Sequence, residues 1–270
     1  MIAPLDNKQK MAKQMGISRS SLYYRSTMQD RDRKLKEEIQ ATLSIHPSYG
    51  HRRLALHLKR NKKCMLRVMK KFGIKPYRRR TRRLCKPGDI GKHPLAIANF
   101  AKTLCPLRRN ILWASDFTYF WFHGKFWYLC TILDLFSREV IGFSFSGSHD
   151  QSLVLKALSH ALLTHPTPHY LHSDQGSEYT CAAYFALLKE HHIQASFSTK
   201  ASPWQNGFQE SFYSEFKKDL GDVSRFETIA LFMEALFLQI YYYNNLRLHT
   251  KLKTTPTLFK QSLLASSNVS

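Results

Sequence analysis

From residue 111 onward the apolar residues of this 270-residue chain stop recurring at helical spacing and gather into compact runs. Residues 111–122, 126–135 and 139–146 are apolar, aromatic and β-branched, interrupted at His123-Gly124 and Ser137-Arg138. Runs of this kind with such short breaks predict three consecutive strands in an antiparallel meander. Asp150 is a natural cap for a helix over 151–163. A short strand over 169–172, a helix over 179–191 and a fifth strand over 193–198 follow, and helices over 206–220 and 226–245 close the pattern. The order β-β-β-α-β-α-β-α leaves little freedom. Two strands reached through helical crossovers extend the meander into a mixed, five-stranded α/β sheet with helices on both faces. No fixed repeat runs through the chain.

Ahead of that sheet the sequence is helical and basic. Residues 1–92 hold 26 Lys and Arg against 6 Asp and Glu, whereas residues 93–270 hold 15 against 13. Nearly all of the formal charge of +22 therefore sits in the first third, as expected of a nucleic-acid-facing part joined to a near-neutral body. A face kept basic for solubility is the alternative, and so local a concentration argues against it. Residues 8–15, the Gly16-Ile17-Ser18 turn and residues 19–25 have the form of a helix-turn-helix. A second unit is better defined. An amphipathic helix over 35–43 stops before His46-Pro47, and helices over 52–60 and 64–72 flank Asn61-Lys62-Lys63. Met65, Val68, Met69 and Phe72 recur at helical spacing and face a small core, leaving Lys63, Arg67, Lys70 and Lys71 outward. The run over 75–83, with Arg78, Arg79 and Arg80, is too basic to pack on itself.

Several classes drop out. No stretch of 18 or more residues is apolar and uncharged; the best, residues 229–243, is broken by Glu234 and Gln239, so no membrane span is expected. The N-terminus lacks the apolar segment of a secretory signal. Five cysteines, at least 20 residues apart, argue against a disulfide framework and for a reduced, cytoplasmic setting.

Phosphodiester chemistry asks for carboxylates able to hold divalent magnesium against substrate oxygens. Asp116 lies inside the first predicted strand, flanked by aromatic residues, where an acid is costly to bury unless it is paired or bound to metal. Asp174 ends the fourth strand, the position at which α/β sheets place their sites. Glu210 lies on the helix after the fifth strand, off the stripe of Phe208, Phe212 and Phe216. Asp174 alone could be a helix cap and Glu210 alone a solvated helix residue; the three together carry the reading.

These acids, with 35 residues between the last two and Lys217 seven positions after Glu210, resemble the Asp, Asp, Glu signature of the retroviral integrase superfamily. More narrowly, the chain resembles the catalytic, second-reading-frame proteins of the transposase family typified by insertion sequence 3. The matching text is Trp113-x-x-Asp116-x-Thr118-Tyr119, His172-Ser173-Asp174-Gln175-Gly176-Ser177-x-Tyr179, Glu210-Ser211-Phe212, Tyr243-Asn244-x-x-Arg247-x-His249 and Thr255-Pro256. Upstream, His46-Pro47-x-Tyr49-Gly50-x-Arg52-Arg53 resembles that family's helix-turn-helix. Pro203-Trp204-Gln205-Asn206-Gly207 departs from many relatives and is similar to an Asn-Gly element of the wider superfamily. The zinc-binding unit of retroviral integrases is missing.

The resemblance implies a ribonuclease-H-like core and a division into a helix-turn-helix-like segment (1–30), a basic helix-turn-helix domain (31–83), a linker (84–106), the catalytic core (107–225) and a C-terminal helix and tail (226–270). It implies a transposase that cuts and joins DNA with two Mg²⁺ ions, Mn²⁺ being a substitute, held by Asp116, Asp174 and Glu210. Lys217 would hold a phosphate, and Arg52, Arg53, Arg67, Lys70, Lys71, Arg78, Arg79 and Arg80 would contact DNA. The implied partners are double-stranded DNA (terminal inverted repeats and target), further copies of the chain in a synaptic complex, and an upstream-reading-frame DNA-binding protein or a fusion with it, in a nucleoid-associated bacterial setting. A purely hydrolytic nuclease and a non-catalytic DNA-binding remnant are the rivals; the basic front and the Tyr243 to His249 motif favour the transposase.

Overall fold

The computed structural model describes residues 5–18, 20–21, 28–78, 98–198 and 207–267. Strands β1 (Leu112–Phe122), β2 (Lys125–Asp134) and β3 (Val140–Ser146) form the expected antiparallel meander. Strands β4 (Tyr170–Ser173) and β5 (Gln194–Phe197) join it in parallel beyond β1, giving the order β3-β2-β1-β4-β5. Alternation along β1 supplies both cores: Leu112, Ala114, Phe120 and Phe122 face one side, Trp113 the other.

On the Trp113 side lie α6 (Gln151–Thr164), capped by Asp150 as expected, and α7 (Ala182–Glu190). Helix α6 sits directly against β3, since a Cβ on Gly142 would lie 2.5 Å from the Ala157 carbonyl oxygen and 2.6 Å from the Ala161 Cβ. On the other side α8 (Gly207–Leu220) and α9 (Ile229–Asn245) bury Phe212, Tyr213, Phe216, Phe232 and Leu236. Helix α9 starts behind a Thr228 cap, three residues later than its apolar pattern suggests, because a short 3₁₀ turn over Val223–Arg225 intervenes.

Ahead of the sheet, α1 (Leu5–Gln14) is the first helix of the first helix-turn-helix-like segment; most of the second lies outside the described residues. Helices α2 (Met28–Ile45), α3 (His51–His57) and α4 (Lys62–Lys71) pack around Ile39, Tyr49, Leu54, Met65 and Val68. Asn61 caps α4 by accepting from the Lys63 amide at 2.8 Å. The short α5 (Phe100–Thr103) falls within the expected linker yet belongs to the core: the Phe100 amide donates to Ser196 Oγ at 2.9 Å and its ring lies 4.6 Å from that of Tyr170.

The chain continues into α10 (Pro256–Ser267) where only a tail was expected. Thr255-Pro256 was its signal, a capping hydroxyl (to the Leu258 amide, 3.2 Å) followed by proline at the first helical position. Among the described residues Cys64, Cys105, Cys130 and Cys181 are free, and no helix is long and apolar enough to cross a membrane.

Candidate active site

The two aspartates meet where β1 and β4 run side by side. Their parallel register sets Ala114 against His172. Two residues further along each strand direction come Asp116 and Asp174, on neighbouring strands whose spacing is about 4.8 Å. Asp116 remains inside β1, opposite Thr131 of β2, and its Oδ1 accepts from the Phe117 amide at 2.9 Å. Asp174 occupies the turn after β4, its Oδ1 accepting from the Gly176 amide at 3.0 Å. A Cβ on Gly176 would lie 2.7 Å from Glu178 Oε2 and 3.1 Å from Asp174 Oδ1, so a larger residue here would push on the Asp174 and Glu178 carboxylates. Both aspartates are half-buried. Their fields overlap: burial pushes the Cys130 thiol up to about 12, and Asp116 and Asp174 both add to that shift. The same causes hold the buried Tyr179 phenol, bonded to Ser115 Oγ at 3.0 Å, well above its ordinary range.

Glu210 arrives from α8, and its two flanking anchors show why it comes to this corner. The side chain of Gln209 is fully buried, and its Nε2 donates to the Ala114 carbonyl at 2.6 Å and the Thr131 carbonyl at 3.3 Å. One turn on, the Tyr213 hydroxyl donates to the Asp116 carbonyl at 2.5 Å and accepts from Thr131 Oγ1 at 2.8 Å. Helix α8 is thus pinned across β1 on both sides of Asp116. Glu210 sits between the pins, exposed on the first turn. The stripe differs from the expected one, because Gln209 and Tyr213 take the inward positions and Phe208 is 39% exposed. A buried amide with both hydrogens satisfied is stable where an apolar stripe alone would have put phenylalanine. Among the described residues no three Asp, Glu, His or Cys side chains form a group that could hold a metal ion, so the three acids are not gathered into a closed cluster.

Lys217 shares the inward face two turns after Glu210. Its Nζ donates to the Tyr119 carbonyl at 2.9 Å and lies 5.2 and 4.9 Å from the centres of the Tyr119 and Phe120 rings, so it braces β1 as well as carrying charge. The other basic candidates divide. Arg52, Lys70 and Arg78 are exposed; Arg79 and Arg80 lie outside the described residues. Arg67 and Lys71 are exposed as expected yet not free: Asp32 of α2, only 2% exposed, accepts from both at 2.6–2.8 Å. Those hydrogen bonds hold the Asp32 carboxyl far below the usual range. Arg53 is likewise committed, donating to Glu215 Oε2 at 2.6 Å.

That last pair belongs to the junction between the helical region and the core. Ser48 donates to Asp219, and the Leu248 amide to the Tyr49 hydroxyl at 2.8 Å; His46 Nδ1 bonds the Tyr242 hydroxyl at 2.8 Å. Arg247, 2% exposed, clamps α8 through Glu215 (2.5 Å) and Asp219. Burial alone would raise the Glu215 carboxyl, but the Lys218 hydrogen bond and the Arg53 and Arg247 charges outweigh it and hold it at about 2. The Tyr243 to His249 motif is read by this geometry. Asn244 exchanges two 2.9 Å bonds with the Val140 backbone, fixing α9 to β3, and Arg247 fixes α8.

A five-stranded sheet in this order, with acids on β1, after β4 and on α8 beyond β5, defines an integrase-type core. The integrase core domain family matches residues 106–203, and a second integrase core domain family matches residues 191–256. The InsK protein for insertion sequence element IS150 of Escherichia coli (strain K12) is 31% identical over 263 residues, covering 93% of this chain and 90% of its own. The transposase for insertion sequence element IS904 of Lactococcus lactis is 32% identical over 229 residues, 81% of this chain and 89% of that protein. A cryo-electron-microscopy structure of a simian T-cell lymphotropic virus intasome, in complex with a PP2A regulatory subunit, shares the fold. It has a TM-score of 0.53 and 18% identity over 78% of this chain and 70% of that one. The chain belongs to the insertion-sequence transposases of the family typified by insertion sequence 3, built on a retroviral-integrase-like core.

Proposed function

We propose that this protein cuts DNA at the ends of its insertion sequence and joins the freed 3′-OH to target DNA, using Asp116, Asp174 and Glu210 to hold Mg²⁺ or Mn²⁺. The observation that supports the reading is the pinning of α8, the helix that bears Glu210, to β1 at Ala114 and at Asp116 by Gln209 and Tyr213. The three acids offer hard oxygen donors alone, the set that suits these cations. When bound, the ions would supply charge neutralisation at the phosphodiester and an acidified water.

The protein's own part is positional. Asp116 is fixed by its strand and Asp174 by the Gly176 turn, so neither need reorganise far on binding. Glu210, exposed on the first turn of α8, completes the set by swinging its side chain inward. Ser115 and Tyr179 are unsuited as nucleophiles, being buried and bonded to each other, with burial keeping the phenol protonated. Water is then the first nucleophile and the DNA 3′-OH the second, with the same carboxylates serving both steps.

Further copies of the chain would bring two ends together, and an upstream-reading-frame DNA-binding protein, or a fusion with it, would complete the assembly. The test is cleavage and joining of labelled duplexes carrying the element's terminal repeats, with Mg²⁺, with Mn²⁺ and with chelator. Metal-dependent nicking plus joined product is the expected result. Nicking without joining would leave a hydrolytic nuclease, and no metal-dependent product with either ion would overturn the reading.

A further inference from the structure

A cleft of about 640 Å³ opens between the helical region and the core, beside the first turns of α8. Its walls come from distant parts of the chain: Arg53 of α3, Arg138 of the β2–β3 turn, Phe208 of α8, and Arg247, His249 and Lys251 beyond α9. Phe208, Ser211, Phe212 and Glu215 give the cleft one face of α8, whereas Glu210, at about 100° per residue, is on the opposite face with Lys217, so the cleft is a surface distinct from the candidate active site. The positive end of the α8 dipole borders it too.

The charges in this cleft do not cancel. Its single acidic wall residue, Glu215, is already shared by Arg53, Lys218 and Arg247. Among the described residues Arg138 and Lys251 have no ion pair. Arg138 is the more telling. It is half-buried, its guanidinium lies 4.1 Å from the centre of the Phe208 ring, and its backbone is held in the left-handed region at φ 64°. Burial disfavours the charge of Arg138, with Asp134 near enough to offset part of that but not to form an ion pair, and an anion in the cleft would offset more of it. His249 Nδ1 and Arg53 Nε are buried in the same walls without a hydrogen-bond partner among the described residues. Lys251 is exposed at the rim. Cations beside an accessible aromatic ring are the combination that binds a nucleic-acid strand, through its phosphates and by stacking.

We infer that this cleft binds the sugar-phosphate backbone of DNA across α8 from the candidate active site, with Arg138 and Lys251 contacting phosphate and Phe208 packing against a base or sugar. The inference rests on the proposed DNA cleavage and joining and assigns a place to the strand it needs.

The test is binding of fluorescein-labelled duplex and single-stranded DNA of arbitrary sequence to the full chain, over a salt series with all divalent metal chelated. Arg138→Gln and Lys251→Gln should each weaken binding about tenfold and flatten the log-affinity against log-salt slope by about one. Lys156→Gln, an exposed cation on α6 across the sheet, should change neither. Arg138→Lys should recover the slope but not the full affinity, since the planar fork is lost. Removing an unpaired, half-buried cation should leave the melting temperature unchanged or higher. If Arg138→Gln fails to fold, Lys251→Gln, at an exposed rim position, decides alone. Wild-type affinity and slope in both cleft variants would overturn the inference. Unlabelled competitors with and without the element's terminal repeats then separate end DNA from target DNA as the occupant. Because no metal is present, the outcome is independent of catalysis. Lost binding in a chain that never cleaves keeps the cleft and sinks the reaction, while normal binding in an active chain does the reverse.

Discussion

Two halves of one helix put the same residue type to opposite uses. In the first half of α8, Glu210 is exposed and has no ion pair among the described residues, held near Asp116 only because its neighbours Gln209 and Tyr213 are tied to β1. In the second half, Glu215 and Asp219 are enclosed by Arg53, Arg247, Lys218 and Ser48. Charge that is fully paired serves architecture and has little left to offer a ligand; charge that is placed but left open is available for chemistry. The basic residues divide the same way. Arg67 and Lys71 are spent on Asp32 and Arg247 on α8, whereas Arg138 and Lys251, without an ion pair among the described residues, line the open cleft.

The largest expected effect lies in the open half. Asp116→Asn, Asp174→Asn and Glu210→Gln should each reduce cleavage and joining on the order of a thousandfold or more, about 4 kcal/mol of barrier, with little change in chemical denaturation. Near-normal joining by any one of them would remove that residue from the site. The enclosed half should respond in the opposite sense. Arg247→Ala takes from the buried Asp219 its cation, leaving Glu215 with Arg53 and Lys218, and should cost about 3–5 kcal/mol of stability, read by urea unfolding. A loss below 1 kcal/mol would show that the clamp is ornamental and erase the contrast.

Acid should reach the enclosed half selectively. The Glu215 carboxyl sits at about 2 in the folded chain against an ordinary 4.5, so its contribution is complete above pH 4.5 and is lost as the pH falls toward 2. The full shift corresponds to about 3 kcal/mol. Glu215→Gln should flatten the stability profile in that window, and an unchanged profile would refute the assignment. Gln209→Leu should cost about 1–2 kcal/mol from carbonyls left unpaired. Its cleavage rate should fall further than the stability loss explains, because Glu210 loses its nearer pin; intact cleavage would show that Tyr213 suffices. Smallest is the pair Lys217 and Lys218. Lys217→Ala should weaken binding of the element's end and lower processing, while Lys218→Ala should cost under about 1 kcal/mol of stability alone. Equal losses of processing would mean that general charge, not placement, matters there.

Much of this architecture could be read from local pattern. Strand order, the Asp150 cap and the placing of Asp116 within β1 and Asp174 after β4 depend on period, turn residues and the cost of an acid among aromatics, all of which act within a few residues of the chain. The Thr255-Pro256 start of α10 was equally local and went unused. What tertiary structure alone decided is which polar groups find partners. Gln209 is buried because it meets the Ala114 carbonyl 95 residues away, and Arg247 is architectural because Glu215 lies 32 residues back on another helix. Arg53 reaches that same Glu215 across 162 residues, whereas Arg138 has no ion pair among the described residues and faces the cleft. Whether a charge is spent or available depends on contacts that no neighbouring residue encodes, because electrostatics and desolvation are settled by distance in space.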